Sequence, residues 1–304
     1  MRGDYNYPPM TPLSKKFTFS DFRAARESGN KLAMLTCYDF TTARLMQEAG
    51  VPMLLVGDSA ANVVLGYETT IRIPLSFQIE ITAAVRRGAP LAMVCADMPF
   101  GSYGGEIGRT IGFRNVVRTM KLSGADCVKL EVGPEHGTLV RELAGIGVAV
   151  VAHLGLRPQS VGLLGGYRAR GRTADDAADI VRLASEMERA GAAAILLEAV
   201  PPEVSERVVS TVRLPVIGCG AGPACHAHVI VTHDGVGLTD HRPPRFAPEL
   251  GDLAKPMKES FARYVHLISS NEYPAERHQY EMPAEERAKF AKAEEPPMNT
   301  DKHR

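Results

Sequence analysis

Gly124-Ala125-Asp126-Cys127-Val128-Lys129-Leu130-Glu131-Val132-Gly133, residues 124–133, is the stretch whose reading decides the fold. Gly124 can end a helix, because a left-handed C-cap costs glycine little. Cys127–Gly133 then lacks the polar alternation of a half-exposed strand, which is the pattern of a strand covered on both faces. Lys129 and Glu131 interrupt it two residues apart, so the period of two puts both on one face.

The same phrase recurs in both directions. Strands are expected at Lys31–Asp39, Met53–Ser59, Leu91–Pro99, Cys127–Gly133, Val148–Leu156, Ala193–Pro201, Pro215–Gly220 and Val229–Asp234. Amphipathic stretches separate most of them. Thr41–Ala49 places Ala43, Leu45, Met46 and Ala49 at helical spacing, and Ala174–Ala190 does so with Ala177, Ile180, Val181, Ala184 and Met187. Gly50, Gly88, Gly147 and Gly191 stand where other helices would stop. Apolar strands alternating with helices in this way predict the α/β class and a (β/α)8 TIM barrel. An open doubly wound sheet would carry a glycine-rich turn after its first strand. Here that strand runs into Cys37-Tyr38-Asp39-Phe40, with no glycine. Residues 221–228 are too few for a full helix between the last two strands. Residues 1–17 read as an N-terminal arm and Ser20–Glu27 as a helix capped by Ser20. Residues 18–273 read as one barrel domain closed by a helix at Leu253–Ile268, and 274–304 as a C-terminal tail rich in Pro, Glu, Lys and Arg.

Composition narrows the function. The 304 residues carry 35 Lys+Arg against 35 Asp+Glu, which argues against a general nucleic-acid binder. No run of apolar residues is long enough to predict a membrane span, and MRGDYNYPPM lacks a basic-then-apolar leader pattern. The 5 cysteines, with no CxxC pair, read as buried reduced thiols of a cytoplasmic protein.

The acidic residues carry the chemistry. Asp58 ends LLVGDS, Asp97 ends AMVCADMP, Lys129 and Glu131 lie in CVKLEVG, His153 ends VVAHLGL and Glu198 ends AAILLEAVP. Singly, each has a plain structural reading: a helix N-cap, a hydrogen-bonded core histidine, a structural ion pair. Together they fall at or near strand C-terminal ends, which in a barrel converge on the one mouth where active sites are built. Three carboxylates facing one pocket call for a cation, and an all-oxygen set selects a hard ion such as Mg²⁺. Such an ion chelates a 2-oxo acid and holds charge as an enolate forms, with Glu198 placed to take the proton. Two glycine-rich segments are open to more than one reading. Gly218-Cys219-Gly220-Ala221-Gly222 is an anion cup or a tight turn; Gly165–Arg172 is a basic loop that draws in an acidic ligand or is only solvated.

The segments MLTCYDFTTARL, LLVGDSAANVVLGYETT, VCADMPFGSYG, GADCVKLEVG, VAHLGLRPQSV, GGYRARGR, LLEAVP, IGCGAG and EYPAERHQ fall in this order across residues 31 to about 280. In them the chain resembles the ketopantoate hydroxymethyltransferase family. The resemblance implies a TIM barrel of the phosphoenolpyruvate/pyruvate type, a homodecamer, and transfer of a hydroxymethyl group from 5,10-methylenetetrahydrofolate to 3-methyl-2-oxobutanoate with Mg²⁺, giving 2-dehydropantoate. Motif by motif it implies Asp58, Asp97 and Glu131 as the metal shell. Asp58, Ser59, Asp97 and Lys129, together with His153, would hold the oxo acid, and Glu198 would be the base. A carbon–carbon lyase or mutase of the same barrel type, acting on a related 2-oxo acid, is the alternative. A non-catalytic binding descendant would have no need of the whole set.

The chain also departs from the family pattern. Pro223-Ala224-Cys225-His226-Ala227-His228 replaces the usual Cys-Asp-Gly-Gln stretch after GAG, Gly105–Gly112 is unusually rich in Gly and Ile, and Arg72-Ile73-Pro74-Leu75 follows the LGY motif. His226 and His228 are expected to reshape the rim of the site rather than bind metal.

Overall fold

A computed structural model describes residues 11–292, apart from residue 105 and the side chains of 106–108 and 163–164. The expected features at residues 1–10, 105 and 293–304 lie outside the described residues. The chain forms two compact units, Met1–Gly251 and Asp252–Arg304.

The first unit is a closed barrel of parallel strands in sequence order. They are β1 (Leu32–Thr36), β2 (Met53–Val56), β3 (Met93–Asp97), β4 (Cys127–Glu131), β5 (Val150–Gly155), β6 (Ala194–Glu198), β7 (Val216–Cys219) and β8 (Ala227–Ile230). Helices cross between most of them, and β7 leads to β8 without one. The structure corrects the sequence reading at β8, which starts at Ala227. Val231 begins its departure, and Thr232–Gly235 is a single helical turn. The N-terminal helix runs Phe19–Ser28, and its cap is Thr18, not Ser20. Thr18 and Asp21 form a capping box, in which the Thr18 hydroxyl accepts from the Asp21 N–H.

Strand alternation divides the core. Met34, Met53, Leu55, Cys95, Cys127, Val151, Leu196, Ile217 and Val229 form the barrel interior. Val94 and Val56 pack outward with Ala43 and Met46 of helix Phe40–Glu48, and Val128, Ala152 and Ile195 pack outward with Ile180, Ala184 and Met187 of helix Ala174–Ala190. The foot of the barrel is closed by the N-terminal segment. Phe22 is fully buried in the interior cluster, with Phe17 and Phe19 packed against it. The Phe17 N–H donates to the Leu91 carbonyl, and the Lys16 ammonium reaches Asp126 at 2.7 Å. The expected arm is therefore tied to the barrel from at least Lys16 onward.

The second unit holds helix Ala254–Ser269, where a closing helix was expected, and helix Ala284–Lys292 within the stretch read as a tail. Among the described residues no helix is long and apolar enough to cross a membrane.

Because Phe22 plugs the foot and not the mouth, Phe22→Ala should act on stability alone. Loss of about 3–5 kcal/mol is expected for a fully buried ring, read as a lowered denaturation midpoint with activity per folded molecule unchanged.

Candidate active site

The inward positions change character along each strand. On β3 Cys95 gives way to Asp97, on β4 Cys127 to Lys129 and then Glu131, on β5 Val151 to His153, and on β6 Leu196 to Glu198. Apolar residues thus fill the foot and titratable ones crowd the C-terminal mouth. The parallel register sets Asp97 beside Lys129, Glu131 beside His153, and Glu198 beside Cys219.

Asp58, Ser59, Asp97, Lys129, His153 and Glu198 line a mouth cavity of about 230 Å³. Glu131 does not line it. The Lys129 ammonium lies 2.9 Å from Asp97 Oδ1, with the side chains 5% and 1% exposed. The Asp58 N–H donates to Asp97 Oδ2 at 3.0 Å. His153 is wedged between two partners: Nδ1 is 3.1 Å from the Lys129 ammonium and Nε2 is 3.3 Å from Glu198 Oε2. Tyr38 and Ser59 share a hydroxyl contact of 2.9 Å.

Two residues that sequence reasoning passed over organise this set. The Gln159 side-chain amide donates to Asp58 Oδ2 and to the Met98 carbonyl, both at 3.0 Å. Its backbone N–H faces the two Glu131 oxygens at 3.3 and 3.2 Å. The Tyr103 hydroxyl donates to Gln159 Oε1 at 3.1 Å and accepts from the Glu131 N–H at 2.8 Å. Gln159 stands inside the HLGLRPQ motif and Tyr103 inside FGSYG, so both were in view. As uncharged residues in loops they gave no signal of burial.

Burial dominates the electrostatics. It pushes the Asp97 carboxyl up to about 8, with Lys129 opposing and Asp58 adding to the rise. It pushes Glu131 up to about 9 and Glu198 to about 7, again with Lys129 opposing. Burial works against the Lys129 ammonium, but Asp97, Asp58 and Glu131 outweigh it and hold its pKa well above the usual value. His153 is held well below its ordinary pKa by burial and then by Lys129, so it is neutral. The neutral ring accepts from Lys129 at Nδ1, while Nε2 makes no aligned hydrogen bond although Glu198 is close.

A hard cation fits the oxygen donors at the mouth. Asp97 Oδ1 is fully buried and makes no aligned hydrogen bond, although Lys129 is close. No ready-made cage exists, however. Among the described residues no group of three His, Cys, Asp or Glu side chains is arranged around one metal position.

The structure corrects the expectation for His226 and His228. The chain returns from β7 to the foot before β8 begins, so both lie on the barrel away from the mouth. The Val216 N–H donates to His226 Nδ1 at 3.0 Å, the Leu32 N–H donates to its carbonyl, and His228 pairs in register with Ala33 and Gly218. The replaced stretch therefore does not shape the rim. Two glycines of the GAG segment serve close packing: a Cβ on Gly220 would lie 2.5 Å from Phe246, and one on Gly222 would lie 2.9 Å from Pro202. In the basic loop, Arg170 is tied to Asp176, and Tyr167 is the residue that reaches the cavity.

Comparison with known proteins gives the arrangement its context. The ketopantoate hydroxymethyltransferase family model matches residues 16–276. The chain belongs to the ketopantoate hydroxymethyltransferase family. It is 44% identical over 273 residues to 3-methyl-2-oxobutanoate hydroxymethyltransferase of Frankia casuarinae, covering 90% of this chain and 91% of that one. It is 41% identical to the enzyme of the same name from Thermobifida fusca, covering 88% and 94%. Family membership makes this chain an enzyme of the transferase class.

Solved structures of the same fold include 2,3-dimethylmalate lyase, a PEP mutase/isocitrate lyase superfamily member. Its TM-score is 0.54 at 17% identity, covering 90% of this chain and 97% of that one. Phosphoenolpyruvate phosphomutase from Streptomyces platensis gives 0.56 at 13% identity, covering 83% and 88%. At these identities the likeness establishes the barrel fold alone, and the lyase or mutase alternative gains nothing further from it.

The raised carboxyls predict how stability depends on pH. Asp97 and Glu131 hold protons in the folded chain that the unfolded chain releases above pH about 4. Their stabilising contribution is full below that pH and is lost as pH rises through about 8 and 9. Buried neutral histidines act with the opposite sign but only below pH about 6.5. Between pH 7 and 9 the metal-free protein should therefore lose thermal stability, and Asp97→Asn should flatten the slope in scanning calorimetry.

Proposed function

We propose that this chain transfers a hydroxymethyl group from 5,10-methylenetetrahydrofolate to 3-methyl-2-oxobutanoate, giving 2-dehydropantoate, with Mg²⁺ at the mouth. The names of its relatives support the reaction. The observation that carries the assignment of roles is the disposition of carboxylates around one cavity. Asp58 and Asp97 adjoin on one side, and Glu198 stands apart from them beyond Lys129 and His153.

Asp58 and Asp97 would hold Mg²⁺, with Glu131 set back behind them against Gln159, and the ion would supply Lewis-acid stabilisation of a developing enolate. Lys129 and Ser59 offer donors to the oxo-acid carboxylate and ketone. The C3–H bond breaks toward Glu198, its electron pair enters the C2–C3 bond, and Glu198 Oε keeps the proton. A carboxylate titrating near 7 suits a general base at neutral pH. His153 is a poorer candidate, since Nδ1 is engaged by Lys129 and burial beside that ammonium holds the ring well below its ordinary pKa. The C3 carbanion then forms the new carbon–carbon bond to the donor's methylene carbon. Water supplies the hydroxyl as both carbon–nitrogen bonds of that carbon break, and the two freed nitrogens take up the remaining proton of the water and the one held by Glu198. A cytoplasmic homo-oligomer, a homodecamer by family likeness, belongs to the same reading. The free cysteines support the first part. The exposed apolar side chains of Met257, Phe261, Tyr264, Val265 and Ile268 support the second.

Glu198→Gln should keep the fold and bind the oxo acid, yet lose most exchange of the C3 proton with deuterated water, a loss of about 100-fold or more. Undiminished exchange in this variant, with exchange lost in His153→Asn, would move the base to His153. A second test concerns Gln159. Because it bonds Asp58 and faces Glu131, Gln159→Leu should weaken Mg²⁺ binding about 10–100-fold, measured by titration calorimetry. EDTA should abolish turnover and added Mg²⁺ restore it; full activity in the chelated protein would defeat the metal assignment.

A further inference from the structure

Beside the catalytic cavity lies a second one of about 640 Å³, and the two share Ser59, Asn62, Tyr167, Val231 and Asp234. Proton transfer at C3 makes no use of this space. Its distinctive group is Asp234, in the single turn Thr232–Gly235 that follows β8, where the residue is 9% exposed. Among the described residues its carboxylate makes no hydrogen bond. The one basic side chain within 4 Å among the described residues is His241, whose Nε2 is 3.6 Å from Oδ1, on a side chain that is 56% exposed and lies 3.2 Å from Asp240 through its other nitrogen. Burial raises the Asp234 pKa, with His241 and His233 opposing. A buried carboxylate without donors is unfavourable unless a ligand brings them.

The neighbouring walls indicate the shape of that ligand. Tyr67 and the exposed Tyr167 contribute aromatic surface to the cavity. The Arg72 guanidinium covers one face of the Tyr67 ring at 4.5 Å, and the Asn62 side chain donates to the Tyr67 carbonyl at 2.8 Å, which holds the loop. Aromatic walls with one buried acceptor suit a flat, N–H-rich heterocycle. On the folate-dependent reading, the donor must bring its methylene to C3 in the smaller cavity while its reduced pterin ring occupies the adjoining space. That ring carries an amino group and a ring N–H side by side, spaced for the two oxygens of one carboxylate.

We propose that the 640 Å³ cavity is the subsite for the heterocycle of the one-carbon donor, and that Asp234 is the carboxylate that receives its paired N–H groups. The proposal rests on the folate-dependent reading of the previous subsection. Asp234→Asn keeps the side-chain size and turns one acceptor into a donor facing another donor. The KM for methylenetetrahydrofolate should rise at least ~10-fold, as for loss of a charge-assisted bond pair. The KM for the oxo acid and the donor-free C3 exchange in deuterated water should move less than ~3-fold. Tyr167→Leu, at an exposed position, should raise the same donor KM ~3-fold or more, and it decides the matter if Asp234→Asn fails to fold. A tetrahydropterin without the glutamyl tail should compete with the donor in the unaltered enzyme and lose that ability in Asp234→Asn.

An unchanged donor KM in the folded variants overturns the proposal. So does a C3 exchange rate that falls in step with the donor KM, because Asp234 would then act on the oxo acid. Unaltered enzyme that exchanges C3 protons and uses free formaldehyde, but shows no folate-dependent turnover, overturns the folate reading itself. That outcome is recognisable before any variant is made.

Discussion

One buried lysine, set against the acids around it, organises the barrel mouth. Lys129 and Asp97 meet at 2.9 Å with almost no exposure, and the register of β3 against β4 makes them neighbours. A lysine in the middle of an apolar strand is tolerated only where its charge is answered. Asp97, Asp58 and Glu131 answer it together and keep it ionised. The single ammonium in turn opposes the rise in pKa of Asp97, Glu131 and Glu198 and helps to hold His153 neutral. Removing it would leave several buried acids without a counter-charge, so its effects reach well beyond its own contact.

The barrel keeps this charge away from the part that holds it together. Phe22, Met34, Met53 and Met93 fill the foot with apolar side chains, while the last inward positions of β3, β4, β5 and β6 carry the chemistry. An acid or a histidine near the last inward position of a strand is pinned by the ladder on both sides, yet opens into the mouth. Second-layer groups then fix its rotamer. Gln159 spans Asp58, Met98 and Glu131 at once, which links the loop after β5 to the ends of β2, β3 and β4. The positive φ of 47° at Ala199 turns the chain immediately beyond Glu198, where the Ala199 N–H donates to the Cys219 carbonyl.

Much of this was legible in the sequence, for identifiable reasons. A strand buried on both faces cannot hide, because its apolar run has no alternation, and a charge within such a run is conspicuous. Asp97, Lys129, His153 and Glu198 were found on that signal. What escaped depended on information that strand patterns do not carry. Gln159 and Tyr103 are uncharged and lie in loops, where burial has no periodic signature. His226 and His228 stood out as departures from the family pattern, but nothing local said at which end of the barrel they fall. Only the return of the chain to the foot without a helix, together with a β8 that starts at Ala227, places them there. Glu131 was grouped with Asp58 and Asp97 because alternation puts it on the face of Lys129. The structure shows it set back against Gln159 instead, since the cavity wall has already turned at that height.

Charge balance at the mouth also constrains the base. With every acid ionised, Asp58, Asp97, Glu131 and Glu198 would face Lys129 alone, while His153 stays neutral. An anionic oxo acid cannot enter such a field. The folded chain meets the excess by raising the pKa values of Asp97, Glu131 and Glu198, so that protons occupy part of the set near neutral pH. Neutralisation by protons leaves Glu198 partly protonated and idle as a base. Neutralisation by a cation at Asp58 and Asp97 removes the repulsion from the other side, and it also lets Glu198 ionise. On the proposed reading, a divalent ion held by Asp58 and Asp97 would answer this charge in place of protons and leave Glu198 free to act as the base.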